Sequence, residues 1–214
     1  MAYQPSSKAL YKTMLIIGIT GNFGTGKTTV SQMLAELGAV TISADELGHE
    51  FLQPDTQTYT EILAAFGKSI LKPDGEIDRS KLGKLVFAKA AALKKLNQIM
   101  HPRIYEKVRQ KITEESQKSG VQVVVIEAAL LIEAGWIPLL DQLWVTTAPE
   151  STIVRRLKSS RRLSEGQILT RLRNQMPQEE KVKQADVVID TDYPIDKLRA
   201  RVSELWQSLP VDTD

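Results

Sequence analysis

The fold of this chain is decided by the stretch Gly21-Asn22-Phe23-Gly24-Thr25-Gly26-Lys27-Thr28, which matches the phosphate-binding pattern G-x-x-x-x-G-K-[ST] in full. Before it, residues 14–20 read Met-Leu-Ile-Ile-Gly-Ile-Thr, an apolar run typical of a buried parallel strand. After it, apolar residues recur at the spacing of one helix face: Val30, Met33, Leu34 and Leu37. The sequence therefore places residues 21–28, here called the phosphate loop, between a strand and a helix.

The residue types in the phosphate loop suit the binding of a nucleotide phosphate. Its glycines let the backbone turn so that successive N–H groups point at one anion, and the following helix adds the positive end of its dipole. Lys27 is predicted to reach the β- and γ-phosphates of ATP, and the Thr28 hydroxyl to hold Mg²⁺. A glycine-rich turn without a ligand is the structural alternative. We assign nucleotide binding to Asn22, Phe23, Gly24, Thr25, Gly26, Lys27, Thr28 and Thr29.

Length and composition limit the class of protein. A chain of 214 residues with 42% hydrophobic residues can build one domain, or a core with an inserted lobe. The net charge of +2 is too balanced to indicate nucleic acid or a membrane surface as a partner. The absence of cysteine excludes disulfides and suits a cytoplasmic location, which we expect. Residues 1–13 lack an apolar signal core and are interpreted as a flexible extension, while the oligomeric state stays open.

Further apolar runs predict four more strands, at residues 39–43, 121–126, 142–147 and 185–190. Because helices separate these runs, we expect a doubly wound, five-stranded parallel sheet in the three-layer α/β/α arrangement of P-loop NTPases. An amphipathic helix is predicted to follow the last strand and to end near residue 209. The expected result is one domain over residues 14–209, with its core in residues 14–52 and 121–209.

Residues 53–120 contain no clear strand, and we interpret them as an inserted helical lobe suited to holding a second substrate. A short helix is predicted to end at Gly67, and two more to be separated by a break near residues 87–91. The dipeptide His101-Pro102 is predicted to open another helix, with proline in the first turn.

Two carboxylates are predicted at the carboxyl ends of strands, where ligands collect in open α/β sheets. Asp45 follows the second strand and is expected at the same sheet edge as the phosphate loop. An equally weighted alternative makes Asp45 the N-cap of a helix that starts near Glu46. Glu127 follows the third strand, where it either organises Mg²⁺ and its waters or is satisfied by backbone N–H groups.

The most basic part of the chain lies between the last two strands and is predicted to be a helical lid over about residues 155–176. Phosphoryl transfer spreads negative charge over the γ-phosphate oxygens, which an arginine-bearing lid neutralises while it excludes water. A solvated, charged helix pair is the alternative. The basic residues are Arg155, Arg156, Lys158, Arg161, Arg162, Arg171 and Arg173.

With these features placed, the chain resembles the dephospho-coenzyme A kinase family over nearly all of residues 14–209. The phosphate loop alone is shared by many unrelated NTPases, but the ordered set of further motifs is specific to the family. They are Ser43-Ala44-Asp45, Phe66-Gly67, Asp74-Gly75-Glu76-Ile77-Asp78-Arg79, Leu85-Val86-Phe87, His101-Pro102, Leu130-Leu131-Ile132-Glu133, Arg171 with Gln175-Met176, and Ala185-Asp186-Val187-Val188-Ile189-Asp190.

The resemblance implies transfer of the γ-phosphate of ATP, with Mg²⁺, to the ribose 3′-hydroxyl of dephospho-coenzyme A. It implies that Asp45 orients the acceptor hydroxyl and accepts its proton. In the lid it implies a catalytic role for Arg156, with Arg161 substituting for a family arginine that falls on Ser160 in this chain. Thr191 stands where the family commonly has asparagine.

The same resemblance implies where coenzyme A binds. It places His101 and Pro102 in the helical lobe near this substrate, and Leu130, Leu131 and Glu133 at the border of its pocket. Two other functions remain alternatives, a nucleoside or nucleotide monophosphate kinase of the same fold and a nucleotide-dependent switch. The lobe separates them, because a switch needs no closed acceptor pocket and a nucleotide kinase would lack these motifs.

Overall fold

The computed structural model describes residues 14–161 and 163–211, with only the backbone of Arg161. Residues 1–13, predicted to be a flexible extension, lie outside the described residues. So do Arg162 and the side chain of Arg161, both of the predicted lid. Within the described ranges, no helix is long and apolar enough to cross a membrane.

The five predicted strands are confirmed, and they form one parallel sheet. In chain order they are β1 (Leu15–Thr20), β2 (Val40–Ser43), β3 (Val123–Glu127), β4 (Gln142–Thr147) and β5 (Val187–Asp190). The order across the sheet is β2-β3-β1-β4-β5, so β1 is central and the phosphate loop leaves its carboxyl end. The chain runs from β1 outward to β2, but from β3 across to β4. The switch point therefore lies between β1 and β3, where doubly wound sheets bind ligands.

Helices connect the strands and follow the last one. They are α1 (Lys27–Glu36), α2 (Ala44–Glu50), α3 (Gln57–Phe66), α4 (Arg79–Phe87), α5 (Ala90–Ser116), α6 (Glu150–Arg161), α7 (Glu165–Arg173), α8 (Gln178–Val182) and α9 (Ile195–Gln207). Short 3₁₀ turns lie at Lys68–Ile70 and Ile137–Leu139. The predicted end of α3 at Gly67 and the predicted break between α4 and α5 are both confirmed.

The sheet is covered by α1 and α9, whose apolar faces share one core cluster with β1, β3 and β4. Its largest fully buried side chain is Trp144 of β4. Val30, Met33 and Leu34 of α1 are buried, as their spacing predicted. Leu37 differs from the prediction, because it is the C-cap residue that follows α1 and is 37% exposed.

The chain divides into two compact units. One, called the sheet unit, contains the chain up to Ser43 and from Gln110 onward. The other, called the helical unit, is Ala44–Arg109, so the division falls inside α5. The helical unit has its own cluster of buried residues, namely Ile62, Ile70, Ile77, Leu82, Val86 and Met100.

The predicted helix start at His101-Pro102 is wrong, because α5 runs without a break from Ala90 to Ser116 with Pro102 inside it. Proline lacks an N–H and its ring crowds the preceding turn, which costs about 3 kcal/mol in a helix interior. Packing outweighs that cost, since Met100, Val108 and Ile112 are all buried and spaced in multiples of four. A local breaker is thus overridden by the apolar face on both sides of it.

The N-cap alternative for Asp45 is also wrong. Helix α2 begins at Ala44, directly after β2, so Asp45 lies inside the first turn and not before it. Its side chain is exposed. A carboxylate in the first turn still interacts favourably with the positive end of the helix dipole.

Candidate active site

The phosphate loop has the backbone geometry that its glycines indicated. Gly21, Gly24 and Gly26 all have positive φ, at 151°, 88° and 87°. A Cβ added at Gly21 would overlap the Thr146 carbonyl and lie 2.6 Å from the Thr25 hydroxyl. Only glycine can therefore occupy the point where the chain turns from β1 into the loop.

The loop is held in shape by hydrogen bonds to its own backbone and to β4. The Asn22 carbonyl accepts from the Thr25 N–H at 3.1 Å and from the Thr25 hydroxyl at 2.8 Å. The Thr25 hydroxyl also pairs with that of Thr146 at 2.7 Å. Thr25 is fully buried, so these hydrogen bonds are shielded from water and help to fix the conformation of the loop.

Lys27 lies folded back over the loop. Its ammonium donates to the carbonyls of Gly21 at 3.1 Å and Asn22 at 3.3 Å, and the residue is only 7% exposed. Neutral carbonyls are weaker partners for a buried cation than phosphate oxygens are. The contacts thus keep the ammonium at the mouth of the loop, where phosphate oxygens can replace the two carbonyls as its partners.

Thr28 and Glu127 place a hydroxyl and a carboxylate beside the loop. The Thr28 hydroxyl, in the first turn of α1, donates to Glu127 Oε1 at 2.6 Å. Glu127 is the last residue of β3 and is 8% exposed. A hydroxyl with a carboxylate fits Mg²⁺, which prefers hard oxygen ligands, retains several waters and shares substrate phosphates. The prediction that Glu127 organises Mg²⁺ stays a prediction, but its carboxylate does face the predicted metal ligand.

Asn22 carries an unusual buried atom. Its side-chain Oδ1 is shielded from solvent and has no hydrogen-bond partner among the described residues. Leaving a buried acceptor unpaired costs about 1–3 kcal/mol. A buried acceptor of this kind beside the phosphate loop fits a donor such as a bound water or a ligand group.

Helices α6 and α7 form the predicted lid segment and contact the loop through Phe23. Ile153, Leu157 and Ile168 form a small apolar cluster against which Phe23 packs. The Phe23 N–H donates to Gln175 Oε1 at 2.8 Å. The Arg171 guanidinium lies 5.1 Å from the centre of the Phe23 ring. Phe23 thus joins the phosphate loop to the segment around α7.

Arg156 binds the loop from the other side, through Thr191. Its guanidinium donates to the Thr191 hydroxyl at 3.0 Å and to the Thr191 carbonyl at 2.6 Å. That hydroxyl lies 2.8 Å from the Thr25 carbonyl and 3.1 Å from the Thr147 carbonyl, which share its single proton. The predicted contact of Arg156 with the transferred phosphate stays a prediction.

The segment after β3 contains the residues predicted to border the coenzyme A pocket. Leu130 is half-buried, whereas Leu131 is fully buried and packs inside the sheet unit. Glu133 Oε1 accepts from the Lys181 ammonium at 2.9 Å and from the Met176 N–H at 3.0 Å. Their contact with a substrate stays a prediction.

The other predicted substrate residues lie in the helical unit. Asp45 and Pro102 are exposed, and His101 is half-buried. One turn after Asp45 in α2, His49 has its pKa lowered by burial and by Arg79, while Asp45 and Glu46 oppose that shift. The predicted approach of Asp45, His101 and Pro102 to the substrates stays a prediction.

Three residues that contact this site received no role from the sequence. Gln175 was part of a family motif, and Thr191 was only a departure from one. Lys181 stands in the polar run Gln-Glu-Glu-Lys-Val-Lys-Gln, where nothing separates it from the exposed Lys183. Helix α8 has five residues, too few for a periodicity to show which lysine is buried.

The sequence of this chain was compared with protein families and with known proteins. The sequence model for dephospho-CoA kinase matches residues 15–197. A dephospho-CoA kinase of Geobacter sulfurreducens is 45% identical over 193 residues, covering 90% of this chain and 98% of that protein.

Solved structures agree with the sequence comparison. TT1252 from Thermus thermophilus has a TM-score of 0.74 and 30% identity, covering 92% of this chain and 98% of its own. A dephospho-CoA kinase from Campylobacter jejuni has a TM-score of 0.59 and 26% identity, covering 91% of this chain and 97% of its own. The match extends from β1 into α9 and includes the loop, the sheet and the lid segment, so the chain belongs to the dephospho-CoA kinase family.

Proposed function

We propose that this protein transfers the γ-phosphate of ATP to the ribose 3′-hydroxyl of dephospho-coenzyme A, giving coenzyme A and ADP. One observation carries the proposal: in a chain of this family, the phosphate loop holds Lys27 over its mouth and places Thr28 against Glu127. Such a site binds a nucleotide phosphate with its metal and leaves the γ-phosphate open to an acceptor. The cytoplasmic location stays a prediction from the cysteine-free composition.

The loop and Lys27 would bind and orient the phosphates. The Phe23 and Thr25 N–H groups are already bonded within the protein, so other N–H groups of the loop and the N-terminus of α1 would receive the phosphates, and Lys27 would exchange its carbonyl partners for phosphate oxygens. A phosphoryl transition state is loose, so catalysis rests on positioning and on charge stabilisation. A loop fixed by the internal hydrogen bonds of Thr25 would need little reorganisation when the reaction occurs.

Thr28 would hold Mg²⁺ directly, and Glu127 would orient its waters. When bound, the ion supplies charge neutralisation across the β- and γ-phosphate oxygens. The hydrogen bond from Thr28 to Glu127 fixes both oxygens beforehand. Arg156 and Arg161 are proposed to add positive charge from the lid side.

Asp45 would orient the acceptor hydroxyl and take its proton. Its support is its position, two residues after the end of β2 with no loop between strand and helix. Its exposed side chain is available to a substrate. His101, Pro102, Leu130, Leu131 and Glu133 are proposed to bind or border the coenzyme A part, as the family resemblance implies.

A coupled ADP-release assay tests the proposal. Purified protein with Mg-ATP is given dephospho-coenzyme A, AMP, CMP or no acceptor, and Lys27→Ala is the inactive control. We expect ADP release to depend on dephospho-coenzyme A. Preference for AMP or CMP would replace the substrate, and equal release in all four reactions would indicate a nucleotide-dependent switch instead of a kinase.

A further inference from the structure

Lys181 is a fully buried lysine that the proposed mechanism does not use. Its ammonium donates to the Ala129 carbonyl at 2.8 Å and lies 2.9 Å from Glu133 Oε1. Burial lowers the pKa of Lys181, and the hydrogen bond and charge of Glu133 oppose that shift. A buried ion pair of this kind contributes little net stability, and a well-packed apolar side chain often serves as well or better. Stability alone therefore gives little reason for a lysine here.

Both partners of Lys181 hold other segments in place. The Ala129 carbonyl also lies 3.3 Å from the Thr20 hydroxyl, and Thr20 is the last residue of β1 before the phosphate loop. Glu133 Oε1 accepts the Met176 N–H at 3.0 Å. One ammonium thus joins the end of β1, the segment after β3 and the turn that leads into α8.

The connection through Glu133 to Met176 continues into the phosphate loop. Gln175, next to Met176, accepts the Phe23 N–H at 2.8 Å. The loop is therefore connected to Lys181 at two points, through Thr20 where it begins and through Phe23 inside it. An apolar side chain at position 181 could fill the same volume, but it could not orient these acceptors.

We propose that Lys181 is a positioning residue for the phosphate loop. It fixes Glu133 and Ala129, and through them the Gln175-Met176 turn that binds Phe23, so ATP binding and transfer depend on it without contact with substrate. The kinetic part of this inference rests on the proposed function. The part that concerns loop geometry does not.

The first test measures the loop without any ligand. Hydrogen exchange followed by mass spectrometry is compared for wild type, Lys181→Met and Gln175→Leu, with Lys183→Met as matched control. Lys183 is two residues later, exposed and paired with Glu180 at 2.6 Å. We expect peptides covering residues 21–28 to exchange about tenfold faster in Lys181→Met and Gln175→Leu than in wild type. In Lys183→Met their exchange should equal that of wild type.

The second test separates positioning from general stability. With dephospho-coenzyme A as acceptor, we expect Lys181→Met to raise KM for ATP roughly tenfold and to lower kcat, as misplaced binding groups do. Val202→Ala, a core change in α9, is the stability-matched control and should lower the melting temperature with KM unchanged. Equal KM effects in both variants would overturn the proposal.

The hydrogen-exchange test can fail or succeed whatever the protein phosphorylates, whereas the kinetic test requires the proposed function. If Lys181→Met does not fold, Gln175→Leu tests the last link without leaving a buried charge. Normal exchange at residues 21–28 in every folded variant overturns the inference even if the enzyme is active. Faster loop exchange in a protein that does not phosphorylate dephospho-coenzyme A supports the inference and overturns the proposed function.

Discussion

Thr191 connects two parts of the site through one side chain. It is 2% exposed, and its hydroxyl meets the Thr25 carbonyl of the phosphate loop while it accepts from Arg156 of α6. A threonine hydroxyl has one proton and two lone pairs, so it can serve a carbonyl and a guanidinium at once. Thr191, which stands where the family commonly has asparagine, therefore links the phosphate loop to Arg156 in this chain.

Replacing Thr191 with valine should weaken ATP use with little change of shape. The variant removes the donor to Thr25 and one acceptor of Arg156, and an unpaired polar group in such a place costs about 1–3 kcal/mol. We expect kcat/KM for ATP to fall at least about tenfold, which is the equivalent of 1.4 kcal/mol. Thr191→Ser keeps the hydroxyl and is the control. Equal activity of the valine and serine variants would contradict a role for this hydroxyl.

Asp45→Asn tests the proposal that Asp45 orients the acceptor hydroxyl and takes its proton. Asparagine keeps the size of the side chain but loses the charge and most of its basicity, so we expect kcat to fall far more than ATP affinity does. The measurement is steady-state kinetics combined with calorimetric titration of ATP. Glu46→Gln, also exposed in the first turn of α2, is the matched control. An unchanged kcat in Asp45→Asn would remove Asp45 from the proposed mechanism.

Helix α2 should make the protein sensitive to acid through His49. Burial and the positive charge of Arg79 lower its pKa in the folded state. Between that lowered pKa and the ordinary value of 6.5, the unfolded chain binds a proton that the folded chain does not. Stability contributed by the neutral ring is therefore present above pH 6.5 and is lost as the pH falls through the folded-state pKa.

Thermal unfolding at pH 7.5, 6.5 and 5.5 measures this effect. The chain has two histidines, so His101→Gln is compared with the double variant His49→Gln/His101→Gln, and no other histidine contributes. We expect the melting temperature of the single variant to fall more on acidification than that of the double variant. Parallel pH dependence of the two proteins would contradict the lowered pKa.

Strands and helices could be predicted from the sequence where a single local pattern, such as an apolar run, covers the whole element. The central strands β1, β3 and β4 were predictable because a parallel strand covered on both faces reads as a largely apolar run. The edge strands β2 and β5 contain exposed residues but still read as short, mainly apolar runs. The helix start at His101-Pro102 was wrong because proline is a local signal, whereas the continuity of α5 depends on residues packed on either side. The cap alternative for Asp45 was open for a similar reason, since only the backbone shows that α2 begins at Ala44.

The site was predictable where a motif determines its own geometry. The phosphate loop contains its glycines, its lysine and its threonine within eight residues, and the structure brings them together as expected. Thr191 and Lys181 lie more than a hundred residues further along the chain. Their contacts with Thr25, Ala129 and Glu133 depend on strand order, which no local spacing encodes.

At the scale of the whole molecule, the two units bury separate cores. The core of the sheet unit is built by β1, β3 and β4 with α1 and α9, and that of the helical unit by residues from Ile62 to Met100. The two described clusters have no residue in common, and such clusters can open separately because the free energy of local unfolding follows local burial. The helical unit could then open while the phosphate loop keeps its structure.

A pair of matched core variants tests this independence. Ile62 and Val30 are both fully buried, one in each unit, and Ile62→Ala should cost about 2–5 kcal/mol. By hydrogen exchange we expect Ile62→Ala to increase exchange in α3 and α4 while β1 and β3 stay protected. Val30→Ala should increase exchange in the sheet unit. Since Lys27 and Thr28 lie in the sheet unit, a protein opened by Ile62→Ala should still bind Mg-ATP but lose transfer to dephospho-coenzyme A. A uniform rise of exchange across both units in either variant would instead show that the chain unfolds as one cooperative body.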